Sequence, residues 1–191
     1  IEAALCCHEE QLDLAAPTSE GEAAARLGHG VAHLHRGYPQ VAIRWLEQAV
    51  EILESKMLKS LVDKDKEAEA RIGALLGSAL GNLGLAYADS GGARHAITLH
   101  RQRLELARRV GDVKGESNGI ANWGRALADL DEGEDAVTMC REALKFRKGI
   151  GYRVGEAQGY LGYAYFAAKK NRSALYWCGK ALEEPQTALA P

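Results

Sequence analysis

Histidine and cysteine are the residues of this chain that could do chemistry on their own. His29 and His33 stand four apart, with His35 close behind. Two imidazoles one helical turn apart can grip zinc from one helix face. No glutamate of an H-E-x-x-H arrangement lies between them and no third ligand is in view, so no metal site is assigned. The four cysteines, Cys6, Cys7, Cys140 and Cys178, form no C-x-x-C pair. They fit packing in a reducing, cytoplasmic setting better than disulfide or redox work. There is no nucleophile elbow and no phosphate loop; Gly73-Ala-Leu-Leu-Gly77 lies inside a helical pattern. The expectation is a non-enzymatic protein with no cofactor.

The bulk properties narrow the classes further. The chain has 191 residues, 47% apolar and 26% charged, an ordinary balance for a globular protein. A net charge of −2 gives no reason to expect nucleic-acid binding, which needs clustered Lys and Arg. No apolar run reaches the roughly 18–20 residues of a membrane span, and no secretory signal opens the chain. The chain begins at Ile1, which suggests an internal or processed fragment.

These residues must be positioned by helices, because the chain repeats itself. Gly30 is followed twelve residues later by Ala42, Gly84 by Ala96, Gly124 by Ala136 and Gly162 by Ala174. His100, Cys140 and Cys178 each come four residues after the alanine, and Leu46 holds that place in the first full hairpin. Trp45, Leu99, Met139 and Trp177 come three after it and form a second column, assigned to packing. Only four prolines interrupt the chain, at 17, 39, 185 and 191. The pattern predicts stacked antiparallel helix hairpins. Residues 1–16 are read as the second helix of a truncated repeat. Hairpins follow at 18–62, 66–110, 112–150 and 152–184, with a tail at 185–191. Thr18 or Ser19 caps the first full hairpin, and Pro185 closes the last helix. Gly-Glu at 21–22, 115–116 and 155–156 places an acid near a helix start, where the dipole favours it. Residues 50–77 exceed the regular interval by 14, so the helices on either side of Asp63–Glu67 are expected to be overlong. The extension should protrude, touch little else and be dispensable.

Leu83-Gly84-Tyr87-Ala96-His100, Trp123-Gly124-Leu127-Ala136-Cys140-Ala143 and Leu161-Gly162-Tyr165-Ala174-Cys178-Ala181 resemble the tetratricopeptide repeat. Gly and Ala let two helices approach closely, and the larger residue fills the hole beside them. The period of about 40, with His100-Arg-Gln-Arg-Leu104 and Gly111-Asp112, looks like the subclass in Pins/LGN adaptors and kinesin light chains. That subclass also occurs in bacterial multidomain regulators. Arg103 and Gln11 depart from the pattern at its second small residue, so those helix pairs should pack less closely or let the side chain reach outward.

The resemblance implies an all-α fold, a right-handed superhelix of stacked helix hairpins, with the first helices lining a concave groove. The candidate peptide-binding residues are Asn82, Leu85 and Asp89, then Asn122, Arg125 and Asp129, then Tyr160 and Tyr163. Asn can pair with a peptide backbone through both donor and acceptor, and Arg can fork onto a carboxylate. The implied function is an adaptor that holds a protein or peptide segment, with an acidic partner favoured by the likeness to Pins/LGN. The Lys-and-Asn carboxylate clamp of chaperone-binding relatives is not reproduced. The alternative is a structural or sensory segment of a larger signalling or transcriptional regulator, acting by intramolecular contact or by self-association through exposed end helices.

Overall fold

A computed structural model describes residues 2–16 and 18–183, with the backbone alone described at 2–5, 9 and 13. Among the described residues there are nine helices and no strand. They are α1 Glu2–Leu14, α2 Glu20–His35, α3 Pro39–Asp63, α4 Lys66–Asp89, α5 Ala93–Val110, α6 Val113–Asp129, α7 Gly133–Ile150, α8 Val154–Ala167 and α9 Asn171–Glu183. The fold is all-α and built of helix hairpins. Pro185 lies outside the described residues.

The chain divides into two compact units, Ile1–Glu116 and Ser117–Pro191. In the first, each helix from α1 to α5 packs on the next, and α2 also touches α4. In the second, α7 packs on α8 and α8 on α9, while Gly124 brings α6 against Met139 and Cys140 of α7.

Local signals explain the ends of these helices. The hydroxyl of Ser19 accepts from the Glu22 amide at 3.0 Å. The Asp65 carboxylate accepts from Ala68 at 3.0 Å and that of Asp112 from Gly115 at 2.8 Å, so two more helices start on a side-chain cap. Four hairpin turns share one closing bond. Tyr38 donates its amide to His33 O, Gly92 to Tyr87 O, Glu132 to Leu127 O and Lys170 to Tyr165 O. The residue before each donor is left-handed, whether glycine (37, 91) or not (Asp131, Lys169). This is the Schellman closure of a helix end.

The close helix crossings rest on the glycines. A methyl group at Gly30 would meet Leu46 Cγ at 2.5 Å, and one at Gly84 would collide with the His100 ring. One at Gly124 would meet Cys140 Sγ at 2.7 Å and one at Gly162 would meet Cys178 Sγ at 2.5 Å. Gly28 gives the same room to His8. Cys140 is buried, whereas Cys178, on α9, is exposed. Cys6 and Cys7 are exposed as well, so burial explains only one of the four thiols. Arg103 lies directly over Gly81, which has no side chain to obstruct it. A missing Cβ thus accommodates a long cation where the repeat elsewhere has a small residue.

The long α3 and α4 are not a free protrusion. Leu53, Met57, Ile72 and Leu76 belong to one buried cluster with Ala49, Ala79 and Leu106. Gly73 leaves space for Val110 of α5 and the Met57 methyl. Arg71 forks onto Glu20 of α2 at 2.9 and 3.0 Å, and buried Glu69 accepts from Lys66 at 2.6 Å. The expectation that this segment touches little else is therefore corrected. Its inner stripe is core, and its exposed large apolar residues are Leu58, Leu61 and Val62 on the outer side.

Candidate functional site

Three candidate residues of the second unit, Arg125, Asp129 and Tyr163, form one connected polar ledge on α6 and α8. Arg125 and Asp129 are one turn apart on α6, with Arg125 Nε 3.9 Å from Asp129 Oδ2. The Tyr163 hydroxyl, on α8, donates to Asp129 Oδ1 at 2.8 Å. That bond, and then burial, raise the Tyr163 phenol above its ordinary pKa. Three residues before it, the Tyr160 hydroxyl donates to Glu156 Oε1 at 2.9 Å. Burial, with the Glu156 carboxylate beside it, pushes the Tyr160 phenol up to about 12. Arg125 and Arg147 both act on Tyr160 in the opposite sense, so the Arg125 cation lies within electrostatic reach of both tyrosines. Tyr163 is 41% exposed and presents its ring to solvent. Asn122, one turn before Arg125, is only 7% exposed and offers little of its amide.

Asn82, Leu85 and Asp89 lie on α4 of the first unit and make a separate patch. Asn82 donates its amide to its own helix, at Ser78 O, 2.9 Å away. One of its donors is therefore engaged internally. Leu85 is half-buried and Asp89 exposed. The Tyr87 hydroxyl donates to Glu47 of α3 at 2.7 Å, which raises its pKa and ties the two helices beside this patch.

Two residues that the repeat pattern passed over hold the ledge in place. Arg147 of α7 is 1% exposed. It donates to Ser117 Oγ at 2.9 Å, Asn118 Oδ1 at 2.8 Å, Arg153 O at 3.2 Å and Glu156 Oε2 at 3.0 Å. Glu156 in turn receives Arg153 at 2.8 Å and the Tyr160 hydroxyl. The buried guanidinium thus clips the start of α6 to the start of α8 and fixes the carboxylate that orients Tyr160. A signal for it existed: Arg147 continues the 136–140–143 stripe of α7, and a cation in a buried column must have buried partners. The other glutamates of the Gly-Glu pairs are also held by arginines, Glu22 by Arg26 at 2.5 Å and Glu116 by Arg108 at 2.7 Å.

His8, His29 and His100 are placed for packing. His29 is buried and stacks on Trp45, with ring centroids 4.6 Å apart. His8 tilts against it at 5.8 Å and His100 is buried against Gly84. Among the described residues no cluster of three or more His, Cys, Asp or Glu could hold a metal ion. No helix among them is long and apolar enough to cross a membrane.

Comparison with known proteins places the fold. No family model matches the sequence, and no curated protein matches it significantly. Among solved structures, a putative kinesin light chain from Podosopora anserina with nearly identical TPR-like repeats superimposes with a TM-score of 0.67 at 16% identity. The match covers 95% of this chain and 84% of that one. The apo form of RapI gives a TM-score of 0.63 at 13% identity, over 94% of this chain and 46% of RapI. By fold, the chain is a TPR-like helical-repeat protein.

Proposed function

We propose that the chain is a non-enzymatic adaptor whose α6–α8 ledge binds an extended peptide segment of a protein partner. The observation that carries this reading is the linked set Arg125, Asp129 and Tyr163, with Tyr160 three residues before Tyr163 on α8. It joins two successive first helices into one amphipathic surface. Tyrosine and arginine supply large contact area with polar tips, the composition of interface hot spots. Fixed in advance by Arg147 and Glu156, these side chains lose little freedom on binding. Arg125 places a guanidinium on this surface, the group that forks onto a carboxylate, so an acidic segment is favoured. Asn82, Leu85 and Asp89 are proposed as a further peptide contact on α4. The TPR-like fold of the neighbouring structures supports protein binding in general. The setting proposed is cytoplasmic.

The test is recovery of a partner from lysate by the intact chain and by Arg125→Ala/Tyr163→Phe. Loss of that partner with an unchanged melting temperature supports the reading. Equal recovery by both places the functional surface elsewhere. Arg125→Glu should weaken binding more than Arg125→Ala when the partner is acidic.

A second reading, self-association within a larger regulator, rests on α9. Leu175, Tyr176 and Leu182 are 76%, 58% and 88% exposed there. Their counterparts on α7, 38 residues earlier, include Val137 and Leu144, both 5% exposed. Sedimentation of the wild type and of Leu175→Asp/Tyr176→Asp distinguishes the two. A concentration-dependent dimer abolished by the variant favours self-association.

A further inference from the structure

Helices α7, α8 and α9 also enclose an open cleft of about 290 Å³, lined by Arg141, Leu144, Lys145, Lys148, Leu161 and Trp177. Its floor is apolar: Leu161 is 0% and Leu144 5% exposed, and Trp177 is half-buried. Leu161 and Tyr163 are two residues apart on α8, roughly 200° around the helix, so the cleft faces away from the ledge. Its rim is basic. Arg141, Lys145 and Lys148 recur at i, i+4 and i+7 along one face of α7, all exposed. Arg141 donates to the Tyr165 hydroxyl and sits 5.5 Å over that ring, so its charge meets no carboxylate there. Among the described residues, Lys145 and Lys148 have no carboxylate at ion-pair distance. Other cations of the same unit do: Arg147 and Arg153 hold Glu156, Lys170 holds Glu134 and Lys180 holds Glu183. The three cations at the apolar hole therefore carry charge that no described carboxylate pairs, as do Lys169 and Arg172 elsewhere on this unit.

We infer that this cleft is a docking site, independent of the ledge, for a short acidic peptide that inserts one bulky apolar side chain. The rim sets the sign of the partner, because three cations flank the opening and none is paired with a carboxylate among the described residues. The floor sets the anchor. The cleft lies at the low end of the roughly 300–1,000 Å³ range of ligand pockets, and its apolar floor has room for one leucine- or phenylalanine-sized group. Carboxylates one or two positions from the anchor then fall over Lys145 and Lys148. A bare phosphate would leave the apolar floor without a function, and a lipid acyl chain would outrun it.

The direct test is fluorescence anisotropy of a labelled pentapeptide with a central leucine and two glutamates on each side, titrated with the full chain. Saturable binding is expected, and it should weaken with added salt. Lys145→Glu/Lys148→Glu should reduce affinity by about tenfold or more. Lys145→Arg/Lys148→Arg should retain it. Alanine in place of the peptide's leucine should cost about tenfold, the worth of burying that side chain. Arg125→Ala/Tyr163→Phe should change nothing, which separates this site from the ledge. The inference is overturned by absence of saturable binding, by indifference to the charge reversal, or by loss of binding in the ledge variant. Binding of anionic phospholipid vesicles without binding of the peptide also overturns it.

Discussion

Gly124→Ala should destabilise the protein even though alanine is the best helix former, and the structure fixes the expected size. The added methyl would lie 2.7 Å from Cys140 Sγ, 3.1 Å from Cys140 N and 3.2 Å from Met139 Cβ. The thiol can swing aside, but the backbone nitrogen belongs to α7 and can move only with that helix. Overpacking of this kind costs about 1–3 kcal/mol. Against it stands the helix propensity gained on replacing glycine, about 1 kcal/mol. The net is a loss between about zero and 2 kcal/mol. Gly159→Ala is the matched control, on α8 of the same unit, where the nearest atom would be Ala181 Cβ at 3.9 Å. Propensity is common to both, so the difference between the two variants isolates the packing cost. It should appear in urea melts as about 1–3 kcal/mol. In thermal melts it should be roughly 2–12 °C for a chain of this size. Adding Cys140→Ala to Gly124→Ala should restore part of the loss, because the 3.1 Å backbone contact remains. Gly124→Leu should be worse than either single change. If Gly124→Ala proves as stable as Gly159→Ala, the close crossing of α6 and α7 is not what holds this repeat.

Arg147→Ala should cost about 3–5 kcal/mol in a urea melt, since it strands Glu156, Ser117 and Asn118 around an emptied site. Removal of residues 57–63 and 66–72 should unfold the first unit, because Met57 and Ile72 are core, and circular dichroism would show the loss. Leu58→Glu/Val62→Glu, on the outer face of the same hairpin, should leave stability within about 0.5 kcal/mol. Tyr160 should ionise near pH 12 when followed by absorbance, and Tyr160→Phe should delete that component. The folded pKa is raised, so the phenol's contribution to stability is complete below the unfolded value of about 10. It is lost as pH climbs through about 12, and alkaline unfolding should be shallower in Tyr160→Phe.

The helical fold was legible in the sequence because close packing imposes a rule on residue size. A glycine on one helix requires a filler on the next, and the pairs Gly84–His100, Gly124–Cys140 and Gly162–Cys178 carry that rule openly. Arg147 was not legible as the clip of the ledge, because its partners stand 9, 29 and 30 residues away. Hydrophobic periodicity treats it as an interruption. The overlong hairpin was misjudged as a protrusion for a related reason. Length counts residues, while burial depends on whether α2 and α5 reach alongside, as Arg71–Glu20 and Gly73–Val110 show they do. Among the candidate site residues, the face was readable from helical spacing. Whether an amide on that face is open was not, and Asn82 turns back to Ser78 while Asn122 is buried.

The adaptor reading turns on whether a partner touches the ledge. A photo-crosslinking amino acid at position 163, and at Thr138 on the exposed side of α7 as control, reads that contact directly. One dominant adduct is expected from position 163, absent from position 138 and lost with Arg125→Glu. Equal adducts from both positions, or an adduct from 163 that persists in Arg125→Glu, would contradict the adaptor reading.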